Sequence, residues 1–156
     1  MKWPPGPLCL ICPARESCIA RREGQPERYP VKTRKLRRKA KESVWLWLRW
    51  RERIWLVQRP QHGVWAGLWS LPEFDSTQAL GEASIGWPGE GEALPSFTHV
   101  LTHLDWTLHP RRWSFPADAH VERITSAWPA GRWFMLDEAL GAGLPAPLRK
   151  LLLAAT

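Results

Sequence analysis

The chain has 156 residues, the size of one domain with a short extension, and 44% of its residues are apolar. Twelve residues are tryptophan, so a sizeable buried interior is expected. No window approaches the roughly 20 apolar residues of a membrane span, and the first residues do not resemble a secretory signal, so we expect a cytoplasmic protein without a membrane partner.

The net charge of +7 is concentrated at the start of the chain. Residues 1–43 hold twelve Lys and Arg against four Asp and Glu, a net charge of +8, whereas residues 44–156 hold ten against eleven. This asymmetry favours a nucleic-acid-facing arm joined to a near-neutral domain, and a merely solvated basic linker is the alternative. We therefore expect two parts, an arm and linker over residues 1–41 and a folded domain over residues 42–156.

All three cysteines of the chain, Cys9, Cys12 and Cys18, lie within ten residues. The spacing Cys-x2-Cys-x5-Cys is typical of ligands to one inorganic centre. A zinc site needs a fourth ligand, and the nearest histidine, His62, lies beyond the basic segment; an iron–sulfur cluster also takes four thiolates. Three unconnected small apolar residues are the structural alternative. An odd cysteine count without a secretory signal argues against a disulfide framework.

The basic segment "VKTRKLRRKAK", residues 31–41, is expected to repel itself and stay extended as a linker. Its side chains can neutralise DNA phosphates, with an affinity that falls as salt rises. Such contacts position a protein on DNA without reading its sequence. The candidate phosphate contacts are Lys32, Arg34, Lys35, Arg37, Arg38 and Lys39.

The folded part opens with two β-rich runs, residues 43–50 and 54–59, which predict a hairpin. Its turn holds neither Gly nor Asn, so the turn type stays open. The first run is apolar on both faces, which indicates a strand covered on both sides. A loop over residues 60–74 follows, and Ser76 is predicted to cap a short helix that ends before Gly86.

In the second half, "SFTHVLTHLDWTLHP" (residues 96–110) predicts one long strand, because apolar and polar residues alternate. Val100, Thr102, Leu104, Trp106 and Leu108 share one side of that pattern. Two shorter strands over residues 111–118 and 131–135 and two helices over residues 136–143 and 146–155 follow. This order, with few helices, predicts an α+β domain built on a mixed sheet.

Five stretches in chain order resemble the C-terminal part of the MutY family of adenine DNA glycosylases: "CLICPARESCIA", "YPVKTRKLRRK", "RPQHGVWAGLWSLPEF", "FTHVLTHLDWTLHP" and "LPAPLRKLL". They cover nearly the whole chain. The resemblance implies a MutT-like (Nudix) fold after a basic interdomain linker. It also implies a partner, the N-terminal catalytic domain of the same protein. Neither a helix–hairpin–helix nor a matching catalytic carboxylate is found here, so we do not expect this chain to break the glycosidic bond.

The same resemblance assigns a cofactor to the cysteines. The family holds a [4Fe–4S] cluster with the pattern Cys-x6-Cys-x2-Cys-x5-Cys, and Cys9, Cys12 and Cys18 match its last three ligands. The first ligand falls at position 2, which is Lys2. The resemblance therefore implies a cluster in the full-length protein that is incomplete within this chain alone.

The function implied by the resemblance is recognition of 8-oxoguanine opposite adenine in duplex DNA for base excision repair. Oxidation turns N7 of guanine from a hydrogen-bond acceptor into a donor and adds an oxygen at C8, so a reader of the lesion needs an acceptor near N7. Thr98 supplies a hydroxyl, Phe97 can wedge at the base step, and His99 can reach a phosphate. The family usually has Ser at the middle position, and Thr98 adds a stiff β-branch. The alternative is that Thr98 and His99 are inert strand residues.

Two rival functions remain. An active Nudix hydrolase of nucleoside diphosphate derivatives needs the signature Gly-x5-Glu-x7-Arg-Glu-apolar-x-Glu-Glu-x-Gly, whose last glutamates hold Mg²⁺. Starting at Gly67, Glu73 fits and Glu82 and Ala83 fit loosely, but Gly81 replaces the arginine, and Ile85 and Gly86 replace the glutamate pair. Hydrolysis is therefore disfavoured. A single-strand binder that stacks bases on tryptophan is the other rival, although tryptophans alternating within strands are more typical of a core.

Overall fold

The computed structural model describes residues 37–155 together with Pro13, Ala14, Glu16, Ser17 and Arg22. The chain divides into two units, Met1–Arg37 and Arg38–Thr156, and all strands and helices given below belong to the second. The predictions for Cys9, Cys12, Cys18, Lys32, Arg34 and Lys35 lie outside the described residues.

Among the described residues, eight strands form one mixed sheet, because β1 and β7 are parallel neighbours and the other pairs are antiparallel. The strands are β1 (Lys39–Trp50), β2 (Arg53–Gln58), β3 (Trp69–Ser70), β4 (Glu73–Phe74), β5 (Glu90–Ala93), β6 (Phe97–Val100), β7 (Leu104–Ser114) and β8 (Gly131–Met135). The helices are α1 (Thr77–Ala83), α2 (Glu122–Thr125), α3 (Leu136–Gly141) and α4 (Ala146–Ala154). The predicted α+β class with a mixed sheet is confirmed.

Strand β1 is the centre of the fold. All residues from Ser43 to Leu48 are buried, as the continuous apolar run predicts for a strand covered on both faces. Alternate side chains enter two separate cores. One core joins Trp45 and Trp47 to α3 and α4, and the other joins Val44, Leu46 and Leu48 to residues of α1 and the α2 region. The sheet is thus packed between two helical layers.

The predicted hairpin turn consists of Arg51 and Glu52, which lie between the paired residues Trp50 and Arg53. Both turn residues have positive φ, 48° and 63°, the conformation of a two-residue type I′ turn. Local preference does not explain this, since neither residue is Gly or Asn. The Arg51 side chain offsets part of the strain: its Nε donates to the Ala117 carbonyl at 2.8 Å and its guanidinium lies over the Trp50 ring.

The predicted cap of α1 is confirmed. Ser76 has extended backbone angles, and its Oγ accepts a hydrogen bond from the Ala79 amide at 3.1 Å. After the helix ends, Gly86 has a φ of 79°, a value that glycine adopts without steric cost.

The prediction of one long strand over residues 96–110 is wrong. The chain reverses after Val100, so that β6 pairs antiparallel with β7 and Thr98 lies opposite Thr107. Strand β7 then continues to Ser114, so a separate strand over residues 111–118 does not form. Because of the reversal, Val100 and Trp106, which the pattern places on one side of a single strand, differ in burial: Val100 is 65% exposed, while Trp106 is buried. The turn, residues 101–103, contains no Gly, Pro or Asn, so the sequence carried no local turn signal.

Two short strands share one edge of β7. Strand β5 pairs with residues 111–114 and β6 pairs with residues 105–108, while β1 occupies the opposite edge of β7. No strand of the described region pairs with the outer side of β6. Strand β6 is therefore an edge strand, with backbone groups that a ligand can approach. None of the helices in the described ranges is both long and apolar enough to cross a lipid bilayer.

Candidate nucleic-acid interface

We call residues 97–105 the edge hairpin, which comprises β6, its turn and the first two residues of β7. Thr98 is exposed near the middle of β6. Its Oγ1 lies 3.0 Å from Oγ1 of Thr107 on the paired strand, and either hydroxyl can be the donor. A hydroxyl oxygen has two lone pairs, so Thr98 keeps an acceptor position whichever way that hydrogen bond points.

Phe97 and His99 point to the opposite face of the hairpin from Thr98, because neighbouring strand residues alternate. The Phe97 ring packs edge-on against the buried Trp45, with centroids 5.9 Å apart. The His99 ring lies 5.3 Å from the Trp65 ring. Both residues are half-buried. The structure therefore places the three predicted lesion contacts on one strand but divides them between its two faces.

Arg38 fastens the start of β1 to the edge hairpin. Its Nη2 donates to the Leu101 carbonyl at 2.7 Å, its Nη1 donates to the Thr102 carbonyl at 3.2 Å, and its Nε donates to Asp105 Oδ1 at 3.2 Å. The hydrogen bond between the two side chains raises the pKa of Arg38 and lowers the pKa of the Asp105 carboxyl. Arg38 thus holds the hairpin turn, which sequence reasoning did not anticipate.

The other basic candidates that the structure describes are open to solvent. Arg37 is exposed, and Lys39 is an exposed first residue of β1 whose amide donates to the His103 carbonyl at 2.9 Å. Lys39 and the turn of the edge hairpin are therefore neighbours. Together with Arg38, this brings two of the six predicted phosphate contacts beside the hairpin.

Glu73, which matches the first glutamate of the Nudix signature, is surrounded by donors. Lys41 Nζ lies 2.9 Å from Oε1, Ser43 Oγ donates to the same oxygen at 2.8 Å, and Arg59 Nη1 lies 3.4 Å from Oε2. Burial raises the pKa of Glu73, but the hydrogen bonds from Lys41 and Ser43 and the charges of Lys41 and Arg59 outweigh it, so the pKa lies below its usual range. The carboxylate is an internal ion-pair partner.

Glu82 on α1 is kept from the rest of the signature, but the glutamate pair that would hold Mg²⁺ is absent. Position 81 is a glycine within α1, Ile85 is 79% exposed, and Gly86 has no side chain. Within the described ranges, no three His, Cys, Asp or Glu residues gather closely enough to hold a metal ion. The donor set therefore does not fit the Mg²⁺ that Nudix hydrolases use.

An aromatic cluster lies beside Glu73, and the sequence did not reveal it. Trp65 stacks on the buried Trp106, with centroids 4.9 Å apart and planes 18° from parallel. Lys41 Nζ lies 4.2 Å from the centroid of the Trp106 ring, and Trp106 Nε1 donates to Ser43 Oγ at 3.0 Å. Trp65 has a φ of 56°, so its loop accepts a strained backbone to place this ring.

A groove separates the edge hairpin from helix α4, and its volume is about 520 Å³. Residues of β6 and of the preceding Pro95 and Ser96 form one side, and α4 forms the other. Sequence reasoning missed the α4 side, because a helix and a strand separated by some fifty residues give no shared local signal. The lining residues are Pro95, Ser96, Phe97, Thr98, His99, Ala146, Pro147, Lys150, Leu151 and Ala154.

The mixed sheet between two helical layers, together with a partial Nudix signature, defines a Nudix-type domain. A family model described as "NUDIX domain" matches residues 44–154, and the chain therefore belongs to the NUDIX domain family. Over 153 residues it is 24% identical to the adenine DNA glycosylase of Buchnera aphidicola subsp. Schizaphis graminum. The aligned region covers 96% of this chain and 43% of that protein. The chain thus spans less than half the length of this relative.

Solved structures agree on the fold. The C-terminal domain of mouse MUTYH, solved in complex with human PCNA, is 20% identical with a TM-score of 0.52, covering 73% of this chain and 87% of that domain. Shewanella oneidensis NrtR complexed with a 27mer DNA is 20% identical with a TM-score of 0.56, covering 72% of this chain and 59% of that one. The similarity to the C-terminal, MutT-like part of adenine DNA glycosylases that the sequence indicated is confirmed.

Proposed function

We propose that this chain is the lesion-recognition part of an A/G-specific adenine DNA glycosylase and binds 8-oxoguanine opposite adenine in duplex DNA. The observation that carries the proposal is the exposed hydroxyl of Thr98 on the unpaired edge of the sheet, in a chain similar to adenine DNA glycosylases over 153 residues. A protruding edge strand with a small polar side chain suits contact with a base edge.

The chemistry of the lesion favours a hydroxyl at this place. The N7–H of 8-oxoguanine is a donor, and an arginine, which reads guanine N7, has no acceptor to offer it. Thr98 Oγ1 accepts from N7–H while its hydrogen bond with Thr107 fixes the rotamer. A base with an unprotonated N7 loses that contact, which is the source of the expected discrimination.

Phe97 and His99 act from the other face of the strand. The Phe97 ring is backed by Trp45 and the His99 ring by Trp65, so neither side chain is free to reorient. In the proposal, the half-exposed Phe97 ring presents an apolar surface to the opened base step, and His99 contacts a phosphate.

Excision of adenine belongs to the N-terminal catalytic domain of the full-length protein in this proposal. Cys9, Cys12 and Cys18 would there hold a [4Fe–4S] cluster with a fourth ligand from outside this chain, and the cluster would supply a structural anchor for the loop. The other basic residues between Lys32 and Lys39 would neutralise phosphates. Arg38 would instead hold the hairpin turn through its hydrogen bonds to two carbonyls.

Nucleotide hydrolysis is disfavoured by the missing magnesium ligands. The Glu73 carboxylate is engaged by Lys41, Ser43 and Arg59, and the glutamate pair that would hold Mg²⁺ is replaced by Ile85 and Gly86. Turnover of a nucleoside diphosphate derivative by this chain with Mg²⁺ would contradict this part of the proposal.

The proposal is tested by titrating the chain against two fluorescent duplexes that differ only at one pair, 8-oxoguanine·adenine in one and guanine·cytosine in the other. Anisotropy is measured at several salt concentrations, since phosphate contacts weaken with salt while a base contact does not. We expect tighter binding of the damaged duplex at every salt concentration. Equal affinities throughout would leave only non-specific attachment and contradict lesion recognition.

A further inference from the structure

Helix α4 and the edge hairpin share one groove. Phe97 and His99 line it from the strand side, while Pro147, Lys150 and Leu151 line it from the helix side. A ligand that reaches the outer edge of β6 therefore meets α4 as well. The geometry points to α4 as the second wall of the DNA-binding groove, with Lys150 contacting a backbone phosphate beside the damaged base. This inference rests on the proposed function.

The charge of the groove suits a polyanion. None of the described residues that line it is Asp or Glu, and Lys150 is its one fixed cation, with His99 facing it from the strand side. Two other cavities of the domain differ: one includes Glu52 and Asp137 in its lining, and another includes Asp118. A duplex carries a negative charge about every 1.7 Å of its axis, so carboxylates in a groove wall oppose its binding.

The apolar surface of the groove suits the sugar and base faces that lie between phosphates. Phe97 is half-buried and held by Trp45 from behind, and Ala146 at the start of α4 is an exposed lining residue. Leu151 continues this surface along the helix. Deoxyribose and base faces pack on such surfaces, while the charged end of Lys150 reaches past them to a phosphate.

Helix α4 holds Lys150 in place. Leu148 and Leu152 on the same helix are fully buried in the core, and Pro145 fixes the entry into the helix. The neighbouring Arg149 is also exposed but does not line the groove. The helix therefore offers two adjacent cations of which only Lys150 faces the groove, a matched pair for experiment.

The inference is tested with the whole chain and the two duplexes described above, comparing Lys150→Ala, Arg149→Ala and Lys150→Arg. Log affinity falls as log salt rises, and one lost phosphate contact makes this dependence less steep by about 0.9. We expect Lys150→Ala to show this change and to weaken binding of both duplexes several-fold. Lys150→Arg is expected to restore the slope, and Arg149→Ala is expected to match the unmodified chain.

A bulky substitution in the groove tests whether DNA occupies it, without changing the charge of the groove. Ala154 is exposed and lines the groove, so Ala154→Trp fills part of it while leaving the core intact. We expect weaker binding of both duplexes, with the thermal midpoint of the free chain unchanged as evidence of folding. Unimpaired binding by a folded Ala154→Trp variant would contradict the inference.

The outcomes separate this inference from the proposed function. If the chain prefers the damaged duplex but Lys150→Ala behaves like Arg149→Ala, lesion recognition stands and α4 is not a wall of the groove. If the chain binds both duplexes equally and Lys150→Ala still lowers the salt slope, lesion recognition fails and the phosphate contact stands. Absence of any DNA binding by the unmodified chain overturns both.

Discussion

Glu73 and Thr98 are polar residues in two regions of the same sheet, and they differ in how many partners surround the side chain and how much of it faces solvent. Three side chains form hydrogen bonds or ion pairs with the Glu73 carboxylate. Two stacked tryptophan rings lie beside it. At Thr98, one hydroxyl neighbour is present and the rest of the side chain faces solvent. The first glutamate of the Nudix signature is thus an internal ion-pair partner here, whereas the edge of the sheet is open to a ligand.

The surroundings of Glu73 show how a partly buried carboxylate is kept in this fold. A lone carboxylate that has lost its partner glutamates is costly to keep partly buried unless cations neutralise it. Lys41 and Arg59 do so, and they also lie over the rings of Trp106 and Trp65. The Glu73 region should therefore govern stability, and the edge hairpin should govern binding.

The largest expected effect is on the aromatic cluster. Trp106→Ala removes a fully buried ring, its stacking with Trp65 and its hydrogen bond to Ser43, so the free energy of unfolding should fall by about 3–5 kcal/mol in a urea titration. Val100→Ala, at an exposed position of the edge hairpin, should change it by less than about 0.5 kcal/mol. Similar losses from both variants would break the contrast between the two regions.

Glu73→Gln should cost about 2 kcal/mol, because Lys41 and Arg59 lose the charge that neutralises them. The pKa of Glu73 is lowered by folding, so its contribution to stability is complete above its unfolded pKa of about 4.3 and disappears as pH falls through the folded pKa. Stability of the unmodified chain should therefore drop more steeply below about pH 4.3 than that of the variant. Glu90→Gln, on the exposed strand β5, serves as the control and should leave the profile unchanged.

Glu52→Gly should stabilise the chain by about 1 kcal/mol, because glycine adopts the positive φ of the β1–β2 turn without steric cost. The substitution leaves the Arg51 contacts with Ala117 and Trp50 in place. Thermal unfolding measures the change. A lower midpoint would mean that Glu52 makes a contribution that its backbone angles do not explain.

Arg38→Ala should produce a local effect at the edge hairpin. The carbonyls of Leu101 and Thr102 lose their donor, and the Asp105 carboxylate loses its partner. The amides of Leu101 and Leu104, which close the turn, should then exchange hydrogen faster, while amides of β1 near Trp45 stay protected. Arg37→Ala, at the exposed neighbour, should not alter exchange in the turn.

The parts of the fold that the sequence predicted are those encoded locally. The buried apolar run of β1 and the Ser76 cap of α1 depend on neighbouring residues, and both were confirmed. The hairpin turn after Val100 was missed because Arg38, more than sixty residues earlier, holds it. A continuous alternation of apolar residues cannot reveal a reversal that is stabilised from so far away.

The candidate site follows the same rule. The resemblance to the MutY family implies Phe97, Thr98 and His99 as contacts, and the structure places them on an edge strand, although on two faces. Lys150 was not chosen, since only the packing of α4 against the sheet brings it beside them. Residues that gather through tertiary packing leave no spacing pattern in the chain.

The claim that Thr98 reads the lesion is tested most directly by one ratio, the affinity for the 8-oxoguanine·adenine duplex divided by that for its undamaged counterpart. The ratio is measured by anisotropy for the unmodified chain, Thr98→Ala and Thr98→Ser. Loss of one hydrogen bond to a base edge is worth about 0.5–1.5 kcal/mol, so Thr98→Ala should bring the ratio closer to one while affinity for undamaged DNA changes little. Thr98→Ser, which keeps the hydroxyl, should retain the preference. An unchanged ratio in Thr98→Ala would contradict the assignment.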